Sequence, residues 1–191
     1  MKVSTLFILV LVSNSLFGQY FIRTKKNFGV FSNYNFGEIN GIKAPSLQLG
    51  VCRHFGSYLI PEVGLTFRNN NDLWSFSGIN GALQIRKRAL KLNSRKKGGK
   101  CKMELVDVFV APEFFAIQTK NTRPTFPNHS FALRYGLALH HFESGGSRRN
   151  KAWNTKLEVY HRNYFNENQP IKHEFGIALR VIHFRTYDFL N

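Results

Sequence analysis

The chain has 191 residues, 43% of them hydrophobic, with 27 Lys and Arg against 11 Asp and Glu and a formal charge of +16. This length suits one domain, and no composition break argues for two. No stretch approaches the roughly 20 apolar residues of a membrane-spanning helix. The basic excess points to nucleic acid or an anionic membrane surface until the pattern decides between them.

The chain begins MKVSTLFILVLVSNSLFGQ: Lys2, an apolar run from Leu6 to Val12, a polar Ser-Asn-Ser, then Leu16, Phe17 and Gly18. That is the layout of a secretory signal, expected over residues 1–18 with cleavage after Gly18. The junction carries no Cys, so no lipid anchor is expected there. The remaining domain, 19–191, loses only Lys2 and keeps 16 − 1 = +15.

From there period-two alternation recurs in eight runs, where one side of each strand is apolar. The first, 27–36, sets Phe28, Val30, Tyr34 and Phe36 on one side. The second, 46–54, has Leu47, Leu49 and Val51; the third, 58–68, has Leu59, Val63, Leu65 and Phe67, with Pro61 weakening it. The fourth starts at Trp74 and Phe76, slips phase near Gly78 as a β-bulge would, and resumes with Ile79, Leu83 and Ile85. The fifth, 104–117, has Val106, Val108, Val110 and Phe114. The sixth, 130–142, has Phe131, Leu133, Tyr135, Leu137 and Leu139. Trp153, Leu157 and Val159 mark the seventh, and Phe175, Ile177, Leu179 and Val181 the eighth. Segments dense in Gly, Pro, Asn or Ser separate the runs.

The opposite sides decide the architecture. They hold Gly29, Gly50, Gly64, Ala82, Ala111, Ala132, Gly136, Ala138, Gly176 and Ala178. Among these stand five acids, Glu62, Asp107, Glu113, Glu158 and Glu174, and five bases, Arg68, Arg134, Lys156, Arg162 and Arg180. A face turned to water has no reason to be small, and glycine weakens a strand. A crowded interior needs small neighbours around long charged side chains, and buried charges must pair. The expected fold is therefore all-β: an eight-stranded antiparallel up-and-down transmembrane β-barrel, inverted so that the ions fill its lumen. A soluble secreted β-sandwich or a lipocalin-like binding barrel is the alternative that alternation alone leaves open. Aromatics near the strand ends, Tyr34, Phe36, Phe67, Trp74 and Phe131 at one end and Phe55, Tyr58, Phe142, Trp153 and Tyr187 at the other, fit the girdles of a membrane barrel.

This pattern resembles the small outer-membrane β-barrels of Gram-negative bacteria, over nearly all of the domain and without a diagnostic motif. The signal ending in Gln19 resembles export signals of Bacteroidota. The last run, EFGIALRVIHF, is similar to the C-terminal signal of such barrels, but has no aromatic at its Leu179 and Val181 positions, and the chain ends Phe189-Leu190-Asn191. The resemblance implies an outer-membrane location, outer-membrane lipids as neighbours and both termini in the periplasm. The connection 86–102 then becomes a basic periplasmic loop, with Arg86, Lys87, Arg88, Lys91, Arg95, Lys96, Lys97, Lys100 and Lys102 and no acid. Arg23, Lys25, Lys26, Arg148, Arg149 and Lys151 join it at the same rim. The loop is expected to grip lipid phosphates or to dock an acidic periplasmic protein or the cell wall. Its length is out of pattern for a periplasmic turn, and a count shifted by one strand would turn it outward, toward lipopolysaccharide. Nucleic acid is disfavoured, since the basic run has no interleaved aromatics and the chain carries an export signal.

Cys52 and Cys101 are the candidate pair for a disulfide in an oxidising compartment. The seven His show no metal-ligand spacing: His140 and His141 are adjacent and point to opposite faces, and His161 and His183 sit on apolar faces near strand ends. No cofactor is expected. A lipid A-modifying barrel enzyme is the catalytic alternative. The resemblance to such deacylases would require a His-x-Ser pair; here His129 and Ser130 are adjacent, and His140 with Glu158 finds no serine. The expected role is non-enzymatic, a structural or anchoring component of the cell envelope.

Overall fold

The computed structural model describes residues 22–23, 27–39, 42–55, 59–70, 73–97, 100–116, 129–144, 152–166, 170–184 and 188–189. The expected signal, 1–18, lies outside them, as do Lys25, Lys26, Arg148, Arg149 and Lys151.

Each alternating run is a strand. They are β1 (Asn27–Ile39), β2 (Ser46–Cys52), β3 (Leu59–Asn70), β4 (Leu73–Lys97), β5 (Lys100–Ala116), β6 (His129–Ser144), β7 (Ala152–Tyr164) and β8 (His173–Phe184). Each pairs antiparallel with the next, and β8 pairs with β1 from Glu174↔Gly37 to Phe184↔Asn27, closing the sheet. The fold is an all-β, closed eight-stranded antiparallel barrel, with no helix among the described residues. Closure leaves no sheet edge along the wall, the condition under which strands can sit in hydrocarbon. Two short pairs flank it: Ile22–Arg23 with Asp188–Phe189, and Ile42–Lys43 folded back on Glu38 and Ile39. Asn27 and Phe184 lie together at one end, called here the terminal rim; the opposite end is the distal rim.

The irregularities follow from the residues. On β3–β4, Thr66 faces Gly78 but Phe67 faces Phe76, so Ser77 is the extra residue of a bulge at the predicted phase slip. Pro61 stays inside β3. Its carbonyl accepts from Arg53 N–H at 3.1 Å, and the reciprocal bond that its missing N–H cannot make falls on the β2 side just past the end of that strand. Pro112 in β5 faces a break in the β4–β5 pairing, opposite Leu83 and Gln84.

One expectation is corrected here. Residues 86–102 are not a solvated loop: β4 runs unbroken to Lys97 and β5 starts at Lys100, with register from Arg86↔Phe109 to Lys97↔Lys100. No Gly or Pro interrupts residues 86–97, so the β4–β5 ribbon continues the wall, with β5 also paired to β6 as far as Cys101↔Ser144.

The two faces of the wall are inverted relative to a soluble barrel. Phe28, Val63, Leu137, Val159 and Phe175 stand more than half exposed on the outside, while Arg134, Arg162 and Arg180 are among the largest fully buried side chains. Ring pairs Tyr34–Phe36, Phe67–Phe76 and Phe114–Phe131 mark the distal end of the outer face. Near the terminal rim, Phe55 is exposed with Arg53 over its ring. The side chains of Tyr58, Phe142, Trp153, His183 and Tyr187 lie outside the described residues.

Candidate functional site

All ten charged residues assigned to the lumen from sequence are buried there: Glu62, Arg68, Asp107, Glu113, Arg134, Lys156, Glu158, Arg162, Glu174 and Arg180. Eight of them form one unbranched chain of alternating sign. Starting at the distal end, Arg68 pairs with Glu174 at 2.9 Å, Glu174 with Arg162 at 2.7 Å, and Arg162 with Glu113 at 2.5 Å. The chain continues from Glu113 to Arg134 at 3.3 Å, Arg134 to Glu62 at 2.6 Å, Glu62 to Arg180 at 2.9 Å, and Arg180 to Glu158 at 2.7 Å. It crosses the lumen among β3, β5, β6, β7 and β8 and ends on Gln84 of β4, whose amide donates to Glu158 at 3.0 Å. Arg180 meets its two carboxylates at ion-pair distance but off the hydrogen-bonding direction. Four guanidinium groups meet four carboxylates, so this part of the lumen is neutral. Balance is what a buried set requires, because a single ion brought out of water costs several kcal/mol.

The tiny residues have a second reason that the sequence reading missed. Aromatic rings also lie in the lumen, across the glycines of neighbouring strands. A Cβ on Gly176 would overlap the Tyr160 ring, and one on Gly50 would overlap Phe31 and the backbone of β3. The guanidinium groups stack on these rings: Arg180 over Phe31 at 4.9 Å, Arg134 over Tyr160 at 5.2 Å, and Arg162 over Phe115 at 5.4 Å. A cation over an aromatic face is stabilised by the ring quadrupole, more so away from water. Polar neighbours complete the coordination. Arg162 donates to Gln48 at 2.8 Å, and Tyr160 O–H donates to Asn35 at 2.5 Å. Tyr164 O–H donates to Glu174 at 2.9 Å. At the distal end Ala44, Phe115, Ala132, Tyr164 and Ile171 pack into an apolar cap.

The last two of the ten, Asp107 and Lys156, belong to a separate cluster near the terminal rim. Asp107 faces His140 Nε2 at 3.0 Å and Arg86 and Arg88 at 3.8 Å each. Among the described residues no carboxylate pairs with Lys156; its Nζ lies 2.9 Å from His54 Nε2. Arg86, expected among the loop bases, is instead buried here, with a guanidinium nitrogen 3.0 Å from His54 Nδ1. Arginine can only donate, so Nδ1 accepts from it. Burial, with Lys156 and Arg86 beside it, holds the His54 imidazole well below its ordinary pKa, and therefore neutral. His54 closes the second alternating run at an inner position, but nothing in the sequence joins it to Lys156 or Arg86.

Cys52 is a free, buried thiol in the lumen, so the expected bridge to Cys101 is absent. The register explains why. Cys52 pairs with Glu62, Glu62 with Ala82, and Ala82 with Glu113, which places Cys101 twelve residues down β5 from the level of Cys52. The other way round the wall Cys52 shares a row with Met103, through Gly29, Ile182, Asn154 and Phe142, but five strands away, so by either route Cys101 lies outside disulfide reach.

His140 is engaged by Asp107, Glu158 by Arg180 and Gln84, and Ser130 is buried on the face opposite exposed His129. On the outer wall His161 accepts or donates at Tyr135 O–H, 2.9 Å away, and stacks on His173, an aromatic patch near the distal rim. Among the described residues no three His, Cys, Asp or Glu side chains converge as metal ligands. The side chains of Arg95, Lys96, Lys97, Lys100, Cys101 and Lys102 lie outside the described residues. No protein-family model matches the chain, and no curated protein matches it in sequence.

Proposed function

We propose that this chain is an outer-membrane barrel of the small type found in Gram-negative bacteria, acting as a non-catalytic structural or anchoring component of the envelope. Its termini and basic ribbon would lie on the periplasmic side, where the ribbon grips lipid phosphates or docks a partner. The observation that carries this reading is the inversion of the wall. Large apolar side chains such as Phe28, Val63, Leu83, Leu137 and Ile177 stand exposed around the outside, while four Arg and four Glu are sealed within. The exposed apolar side chains come from all eight strands, whereas the largest apolar patch on an ordinary soluble monomer covers roughly 300–600 Å². Hydrocarbon is the medium in which that surface has no penalty. Seven of the eight strands run 12 residues or more, and β2 seven, against the about 9–11 residues of a tilted strand that cross the apolar core.

The test is the behaviour of the purified chain. In detergent micelles it is expected to run faster on a gel unheated than boiled, as a closed barrel that keeps its compact shape does. In buffer without detergent it is expected to aggregate. A compact monomer dissolved in plain buffer would overturn the reading.

A further inference from the structure

Among the described residues the Lys156 amine hydrogen-bonds one side chain, that of His54, and the donors and acceptors of that contact fix its state. Arg86 donates to His54 Nδ1 at 3.0 Å, which leaves the single proton of the neutral ring on Nε2. That Nε2–H faces Lys156 Nζ, 2.9 Å away. An ammonium has three donors and no acceptor, so it cannot receive an N–H; the free amine can, through its lone pair. Lys156 is fully buried and, among the described residues, pairs with no carboxylate. It is therefore an unprotonated amine, the form in which lysine is a nucleophile.

Two features state which electrophile suits it. The first is size. The amine has no exposed surface, so what reaches it must be small and uncharged, entering past the terminal rim, where the Arg88 side chain is 27% exposed. Carbon dioxide meets that requirement. The second is charge. The Arg–Glu chain balances four with four, but around Asp107 two guanidinium groups, Arg86 and Arg88, share one carboxylate. Of the charges acting on the Lys156 nitrogen, Arg86 is the strongest, followed by Glu158, Arg180 and Asp107, so the two cations outweigh the two carboxylates. An anion formed at this nitrogen is stabilised by that field.

We propose that Lys156 is a carbon dioxide site, where its amine is converted to a carbamate, an N-carboxylated lysine. The Nζ lone pair attacks the carbon of carbon dioxide. The N–C bond forms as one C–O π pair moves onto oxygen, and one Nζ proton leaves to water at the rim. A neutral amine and a neutral gas thus give a carbamate anion and a proton, with no oxidant or reductant. In the product His54 Nε2–H donates to a carbamate oxygen instead of to the nitrogen. The cluster then holds two guanidinium groups against two anions, so the terminal end of the lumen acquires the balance that the middle already has.

The experiment uses the full chain in detergent micelles at neutral pH, degassed and then supplied with carbon-13 bicarbonate as the source of the gas. Carbon-13 NMR reads the carbamate, and alkylation with triethyloxonium before peptide mass spectrometry assigns the residue that carries it. A carbamate resonance is expected that disappears on degassing and returns with bicarbonate, with the trapped group on the peptide containing Lys156. Lys156→Met, which keeps the length of the side chain without its nitrogen, is expected to lose the signal while retaining heat-modifiable gel migration. In degassed protein the nitrogen-15 spectrum is expected to show two hydrogens on Lys156 Nζ. Three hydrogens there would overturn the free amine and the proposal with it. Absence of the trapped group from Lys156 in the folded, unaltered protein would overturn the carbon dioxide site, and this holds even where the variant fails to fold. A resonance that persists in folded Lys156→Met would do the same, in favour of the N-terminal amine. Each of these outcomes with normal heat-modifiable migration leaves the barrel reading standing.

Discussion

Arg162 is held by Glu113 on one side and Glu174 on the other, with Gln48 taking a third bond and the rings of Phe115 and Tyr160 near its guanidinium. Every member of the ion chain is constrained in this way, so removing one charge leaves an odd ion in a medium that cannot hydrate it. Glu113→Gln is expected to destabilise the barrel by about 3–5 kcal/mol, the range for breaking a buried pair. Adding Arg162→Met is expected to recover part of that loss, because the remaining charges balance again. Equilibrium urea unfolding in phospholipid vesicles measures both, and a double variant equal to the sum of the singles would refute the coupling. The ten lumen charges were legible in the sequence because they stand among glycines and alanines and cancel in sign. The aromatics beside them were not: Phe31 and Tyr160 sit at inner positions of their strands, yet taken singly an inner Phe reads like an outer one. The pairing of Lys156 with His54 was illegible for another reason, since it joins residues 102 positions apart through the closure of the barrel.

Glycine placement links the strands at the next scale. Tyr160 of β7 lies across Gly176 of β8 and beside Gly136 of β6, its register partners on either side. Three strands therefore share one large side chain over two empty positions, and strand order and side-chain size are fixed together. Gly176→Val is expected to destabilise by about 1–3 kcal/mol, the usual effect of overpacking. The same substitution in a Tyr160→Ala background should cost less, since the ring it strikes is gone; vesicle unfolding of the four-member cycle is the check. All eight strands and the bulge near Gly78 were legible, because alternation with a one-residue slip has few other meanings. The ribbon was not. Beyond Ile85 the alternation shrinks to Leu90 and Leu92 among bases, too short a run to separate strand from loop, and only the pairing with β5 makes it one.

For the molecule as a whole, the question is whether the barrel can conduct. Eight strands enclose a space that side chains just fill. Here the filling is specific at every level: the apolar cap of Phe115, Tyr164 and Ile171 near the distal rim, the Arg–Glu chain through the middle, and His54, Arg86, Asp107 and Lys156 near the terminal rim. An ion entering would have to displace a guanidinium from a carboxylate it touches. The purified protein is therefore expected to give no channel steps in a planar lipid bilayer. Replacing Tyr160, Arg134 and Glu113 together by alanine, which empties the middle layer while keeping its charges balanced, is expected to introduce a small cation or anion leak. Steps from the unaltered protein comparable to those of a water-filled pore would mean that the ion chain opens under voltage, and the lumen would then have to be regarded as a path and not as a plug.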